Sequence, residues 1–203
     1  MSRKGFFSKL VSSLKNSESA EQPAEGKFAP EEKLPLDEKF VSQFHEGGGH
    51  FIYCANEGDA LAGLEQYAAE HNWPGLYISD DGLRNFENKL GLSITFNNDG
   101  QMPAVVSGCE ALIAFNGGIM VHNHHTGGRK LSDLPEHHVI IAYTSQIVAN
   151  LRDGMTSINL KYRENRPGNI AVIRAPLDQN VQMASADPNK DRNVFLVLIE
   201  DEV

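Results

Sequence analysis

Cysteine is scarce in these 203 residues: Cys54 and Cys109 are the only two. They lie too far apart for a CxxC metal or redox motif, and two distant thiols do not make the four-thiolate cage of an iron–sulfur cluster. Either one passes as a small buried apolar residue in a reducing compartment. No stretch approaches the roughly 18 apolar residues of a spanning helix. The N-terminus is basic, but no continuous apolar region or small-residue cleavage site follows it, so no signal peptide is expected and a cytoplasmic location is. GxSxG, HExxH, GxGxxG and Walker patterns are all missing. Basic residues are outnumbered as well, with 18 Lys and Arg against 27 Asp and Glu for a net charge of −9. Residues 1–17 hold Arg3, Lys4, Lys9 and Lys15 and no acid, so the remainder is more acidic than the total suggests. An acidic body matches a phosphate backbone poorly, and nucleic acid is not an expected partner.

What remains is the composition of an ordinary soluble chain, 40% hydrophobic and 22% charged, long enough for one domain and a tail. In residues 1–15, Phe6, Phe7, Leu10, Val11 and Leu14 share one helical face while the lysines fall elsewhere. Such an amphipathic basic helix suits docking by residues 5–15 to a membrane surface, here the inner membrane, or to a partner subunit. The plainer alternative is a tail that folds back on the body. Residues 16–30 have the Ser, Glu, Gln, Pro and Gly content of a solvated linker. An α/β domain is expected over residues 31–203.

Within that domain, Pro35 and Asp37 open a helix with Phe40, Val41 and Phe44 on its buried side, and Gly47-Gly48-Gly49 ends it. Residues 50–54 read as a strand. Glu57 to His71 carries Ala60, Leu61, Leu64, Tyr67 and Ala68 at helical spacing. Further strands are expected at Leu76 to Ile78, Ser93 to Phe96, Ala104 to Val106, Ile119 to Val121, Val139 to Tyr143, Ile170 to Ile173 and Val194 to Ile199. A helix capped by Asp80 or Asp81 is expected to hold Leu83, Phe86 and Leu90. Another is expected to open at Thr144-Ser145 and to bury Ile147, Val148, Leu151, Met155 and Ile158. Short β runs alternating with helices mean a layered α/β structure with a largely parallel sheet. The connection from Ile119–Val121 to Val139–Tyr143 lacks a helical pattern, which predicts one antiparallel pairing between those two strands.

The segment from Cys109 to Leu151 holds most of the candidate chemistry. Asn116-Gly117-Gly118 either supplies a tight turn or lets backbone N–H groups approach a phosphate or carboxylate. Thr144 and Ser145 suit helix capping, and an anion at the same helix mouth would meet the positive end of the dipole. Arg129 and Lys130 would supply counter-charge or simply coat a loop. Glu110 is a functional candidate if buried, by its cost alone. A cysteine nucleophile at Cys54 or Cys109 would need a histidine partner. Five of the eight histidines, His122, His124, His125, His137 and His138, fall within this segment. Adjacent histidines on an extended chain point in opposite directions, and no metal motif accompanies them, so the expectation is no metal and a solvated, glycine-flexed loop.

The order of elements resembles the LUD domain family, the lactate utilisation protein C-like group. The elements are Ile113-Ala114-Phe115-Asn116-Gly117, then Leu131-Ser132-Asp133-Leu134-Pro135-Glu136-His137-His138, then Val139 to Ala142, then Ile147-Val148. Upstream the likeness takes in Glu31 to Asp37, Phe40-Val41 and Gly48 to Cys54, which resembles small stand-alone members from Bacteroidetes-like bacteria. Asn169-Ile170 and Phe195 to Asp201 match the last two strands. One departure stands out: many members carry Glu-Thr-Gly where this chain has Phe115-Asn116-Gly117, so no role for that carboxylate or hydroxyl transfers here.

The resemblance implies a Rossmann-like three-layer sandwich, as in the superfamily of sugar-phosphate isomerases and CoA transferases. It also implies an accessory role in oxidising lactate to pyruvate, beside iron–sulfur and redox subunits, with the clusters in those partners and no cofactor in this chain. Two other functions stay open. One is a stand-alone isomerase or CoA-transferase-like enzyme acting on a phosphorylated or CoA-linked small molecule, with Glu110 as the nearest nucleophile. The other is a non-catalytic interaction module tethered by the N-terminal helix. The expected site is a single cleft shared by the paired glycines and the Thr144-Ser145 turn.

Overall fold

Helix α1 (Leu36–Glu46) starts behind Pro35, carries Asp37 and Glu38 at the positive end of its dipole, and buries Phe40, Val41 and Phe44. Its end is enforced by backbone: Gly48 sits at φ +84°, and the Gly49 N–H donates to the Phe44 carbonyl at 2.9 Å. These features belong to a computed structural model that describes residues 34–97, 100–174 and 192–201. The expected helix of residues 1–15 and linker of residues 16–30 lie outside the described residues. The compact unit Pro35–Val203 contains every described residue except Leu34. Among the described residues, no helix is long and apolar enough to cross a membrane.

The described residues form two sheets. The larger has the order β1-β10-β7-β4-β2-β3, from β1 (His50–Cys54), β10 (Asn193–Ile199), β7 (His137–Tyr143), β4 (Ala104–Ser107), β2 (Gly75–Ile78) and β3 (Ser93–Thr95). Every pairing in it is parallel. Strands β2 and β4 are buried at every position and β10 at all but its first, as expected of a sheet covered on both faces. Helix α2 (Glu57–Glu70) packs against it through Ala60, Leu64 and Ala68, and Tyr67 stacks on Phe195 with ring centroids 3.6 Å apart. Asn56 caps α2 by accepting from the Asp59 N–H at 2.9 Å. Asp80 likewise caps a single 3-10 stretch, Asp81–Phe86, shorter than the expected helix.

The smaller sheet has the order β8-β5-β6-β9, from β8 (Ile147–Val148), β5 (Ala111–Ile113), β6 (Gly118–Val121) and β9 (Ala171–Ile173). Its parts are inserted between β4 and β7 and again between β7 and β10. Helix α3 (Leu151–Lys161) covers it, with Ile158 joining Ala111, Ile113 and Met120 in one apolar cluster. A Cβ at Gly154 would lie 2.8 Å from Met120 Cε, so the absent side chain lets α3 approach β6.

The mixed α/β architecture with a mostly parallel central sheet is as expected, but two local expectations are corrected. Strand β6 does not pair with β7. It runs antiparallel to β5 and to β9, and β7 lies inside the large sheet between β10 and β4. The run from His138 to Ala142 is buried throughout, which suits a central parallel strand rather than one member of a hairpin. Nor does a helix open at Thr144-Ser145. Thr144–Gln146 is a 3-10 turn, Ile147 and Val148 pair with Leu112 and Ile113 as strand β8, and α3 begins after Asn150. Asn150 accepts from the Asp153 N–H at 3.1 Å, while β-branched Ile147 and Val148 are better used in a sheet.

Buried Arg192 holds another segment in place. Its Nη1 donates to the Leu131 carbonyl at 2.6 Å, and its Nη2 donates to the carbonyls of Leu134 and Pro135. The Leu131–Asp133 turn is thereby fixed to the start of β10.

Candidate functional site

Chain direction singles out one place in the large sheet. After β2 the chain moves outward to β3; after β4 it moves the opposite way to β7. The C-terminal mouths of β2 and β4 therefore flank the topological switch point, where open α/β sheets usually bind ligands. Ser79 and Asp80 follow β2, and Gly108, Cys109 and Glu110 follow β4. Asp80 Oδ2 accepts from the Gly108 N–H at 3.1 Å and its Oδ1 from the Gly82 N–H at 2.9 Å.

The histidine loop lies over this mouth. Ser79 Oγ donates to the His125 carbonyl at 2.7 Å. Thr126 N–H returns to the His122 carbonyl, Gly128 N–H to the Asn123 carbonyl at 2.7 Å, and Thr126 Oγ1 to the Arg129 carbonyl at 2.8 Å. Gly127 and Gly128 take φ of +59° and +75°, which closes the turn. His122, His125 and Thr126 are buried, so the expected solvated, flexible loop is replaced by a tied one. Its outer side exposes His124, Arg129 and Lys130.

Glu110 is the focus of the buried side. Its Oε2 accepts from His122 Nε2, Lys161 Nζ and Tyr162 Oη, each at 3.2 Å. Burial pushes this carboxyl up, but the His122 hydrogen bond, the Lys161 charge and the Tyr162 hydroxyl outweigh it and bring it down to about 2. Glu110 is therefore an ionised carboxylate inside the protein. The backbone assigns the imidazole tautomers. His122 Nδ1 accepts from the His124 N–H at 3.3 Å, which leaves the proton on Nε2 to donate to Glu110. His125 Nδ1 accepts from the His122 N–H at 3.2 Å, so its proton also sits on Nε2. Burial, reinforced by His122, lowers His125 to about 3 and keeps it neutral.

Glu110, His122 and His125 offer ligand atoms within 4.8 Å of one another, a donor set that suits a divalent transition metal in composition. The geometry opposes it. The two imidazoles stack with centroids 3.9 Å apart and planes 28° from parallel, so their in-plane lone pairs do not converge on one ion. Both Nε2 atoms carry protons, and the Lys161 ammonium already occupies the carboxylate. This is a cluster of hydrogen-bond donors around an anion. A nucleophilic role for Glu110 meets a similar obstacle, because its Oε2 is engaged three times over and its side chain is 3% exposed.

The other candidates from the sequence fall elsewhere. Gly117, at φ +64°, lies against helix α1, where a Cβ would come within 2.6 Å of the Phe44 nitrogen. Asn116 Oδ1 accepts from the Gly118 N–H at 3.1 Å, and the three residues form the β5–β6 turn. Thr144 Oγ1 donates to Asp201 Oδ2 at 3.1 Å, and the Ser145 N–H donates to the same oxygen at 2.5 Å. Gln146 Nε2 donates to the Cys109 carbonyl at 2.5 Å. The Thr144 turn therefore adjoins the Cys109–Glu110 end of β5, and the glycines stand at the other end. The expected shared cleft does not form: Glu110 groups with His122 and His125, not with Asn116, Gly117 and Gly118. Sequence reasoning missed Lys161 and Tyr162, which lie 51 and 52 residues from Glu110 and carry no motif.

Comparisons with known proteins agree with this architecture. The LUD domain family matches residues 97–199, about half of the chain. The curated Lactate utilization protein C of Deinococcus radiodurans is 35% identical over 65 residues, which is 32% of this chain and 31% of that protein. The match thus spans about a third of that relative's length. The crystal structure of a DUF162 family protein from Deinococcus radiodurans aligns with a TM-score of 0.61 at 16% identity, covering 82% of this chain and 96% of that one. At that identity the likeness is one of fold.

Proposed function

The chain belongs to the LUD domain family, and from that premise we propose that it is an accessory subunit in the oxidation of lactate to pyruvate. It would work beside redox partners that hold the iron–sulfur clusters. The name of the curated relative, Lactate utilization protein C, supports the pathway. The observation that carries the accessory role is the state of the thiols. Oxidation of lactate releases two electrons, which need an acceptor. Cys54 and Cys109 are both buried and free, the first at the end of β1 and the second in the connection from β4 to β5. Burial pushes the Cys54 thiol up to about 11 and raises Cys109 further, so neither is a thiolate ready to ligate iron. On this reading the electrons leave through the partner subunits.

Deletion of the gene in its host tests the reading. Growth on lactate is expected to fail while growth on pyruvate continues, and the full-length gene restores it. The purified chain alone is expected to give no lactate-dependent reduction of an artificial electron acceptor. Turnover by the isolated chain, or unimpaired growth of the deletion strain on lactate, overturns the proposal.

A further inference from the structure

Two segments meet beside the Glu110 cluster. The Asn123 N–H donates to the Gly168 carbonyl and the Gly168 N–H donates to Asn123 Oδ1, both at 3.0 Å. Lys161 and Tyr162 join the same two segments through Glu110. Residues 122–130 and 161–168 are thereby held side by side at the switch point of the large sheet. Between them they expose Arg129, Lys130, Arg163 and Arg166, besides the Lys161 that pairs with Glu110, against Glu164 as the one exposed acid. That local excess of positive charge sits on a chain of net charge −9. The four other cations are not consumed by the acids beneath: Glu110 is matched by His122, Lys161 and Tyr162, and half-buried Asp80 by two backbone N–H groups. A Cβ at Gly128 or at Gly168 would meet nothing within 4 Å, so both segments border open space.

We propose that residues 122–130 and 161–168 form a binding site for a small oxyanion, the carboxylate or phosphate group of a low-molecular-weight metabolite. Three observations carry it: the position at diverging strand mouths, the pairing of two segments into one rim, and the inversion of charge on that rim. Guanidinium groups suit both oxyanions because each offers two parallel N–H donors. The inference goes beyond the lactate reading and stands independently of it, since the growth experiment tests that reading alone.

Calorimetric titration of the full chain is the test, with inorganic phosphate, pyruvate, lactate and coenzyme A as separate arms. Chloride at matched ionic strength is the reference. At least one oxyanion is expected to bind where chloride does not, and to weaken as salt rises. R163Q/R166Q is expected to raise the apparent Kd about tenfold or more. R152Q, which removes a cation exposed on α3 outside the rim, leaves the Kd unchanged. Selective binding of pyruvate or lactate assigns the site to a carboxylate; selective binding of phosphate or coenzyme A assigns it to a phosphate. If no oxyanion exceeds chloride, or if R152Q weakens binding as much as R163Q/R166Q does, the proposal fails. Both variants carry exposed substitutions, and an unchanged melting temperature without ligand confirms that they fold.

Discussion

His122 in the inserted region and His138 in the large sheet are both wholly buried, yet their ring nitrogens are treated differently. His122 has both engaged, Nε2 on Glu110 and Nδ1 on the His124 N–H. His138 meets Ser107 Oγ through Nε2 at 2.7 Å, and its Nδ1 has no partner among the described residues. Burial, followed by the Arg192 charge, lowers His138 to about 3, so it rests in the sheet as a neutral, mostly space-filling ring. His122 instead belongs to a network that holds a carboxylate ionised where water does not reach it. Polar side chains inside the large sheet are tolerated, whereas those at its mouth depend on one another.

The sharpest test of that contrast is to remove each ring. His122→Leu leaves the buried Glu110 carboxylate short of a donor and the His124 N–H without an acceptor. It is expected to destabilise the protein by about 3 kcal/mol, read from the urea midpoint. His138→Leu removes a neutral ring, and Ser107 Oγ keeps its bond to the Gly108 carbonyl at 2.9 Å. Its cost at pH 7 is expected to stay below about 1.5 kcal/mol. Equal costs would erase the distinction.

Acid sharpens it next. His125 and His138 titrate near 6.5 when unfolded and near 3 when folded, so below pH 6.5 the unfolded chain binds protons that the folded one refuses. Stability is therefore full above pH 6.5 and lost as the pH falls toward 3. Each such histidine contributes a slope of about 1.4 kcal/mol per pH unit. In His138→Leu the slope between pH 6 and pH 4 is expected to drop by that amount, measured by urea unfolding at each pH. Glu110 acts lower: its depressed folded value keeps its contribution intact above pH 4.5 and loses it as the pH falls toward 2.

The smallest effect is expected from Lys161→Met. This side chain is 59% exposed, so water screens most of its attraction to Glu110. The loss should be below about 1 kcal/mol, and acid unfolding should begin at a slightly higher pH. A loss as large as that from His122→Leu would mean that the ammonium, not the imidazole, is the main support of the carboxylate.

Sequence reasoning reached the parts of this molecule governed by local pattern. Phe40, Val41 and Phe44 at helical spacing, the glycines that end α1, and the unbroken apolar runs of β2, β7 and β10 all announce their elements. It failed where partners lie far away. Ile147 and Val148 extend the 3.6-residue spacing of Leu151, Met155 and Ile158, so periodicity alone makes them helical. Only the Asn150-x-x-Asp153 signature marks the true start of α3. The pairing of β6 with β5 required the Gly117 turn to be read as a hairpin. Glu110 was legible as a candidate because buried acids are costly. Its partners Lys161 and Tyr162 were not, since the contact is made by two chain segments that only the insertion of the small sheet brings together.

Strand β10 has a consequence for the order in which the molecule is assembled. It separates β1 from every other strand of the large sheet, and His50 finds its neighbour only at Phe195. On an emerging polypeptide, β1 must wait with both edges bare until the last described strand arrives between it and β7. Closure of the sheet is thus a late, long-range event, and a chain that stops before Asn193 still lacks the strand that joins β1 to β7.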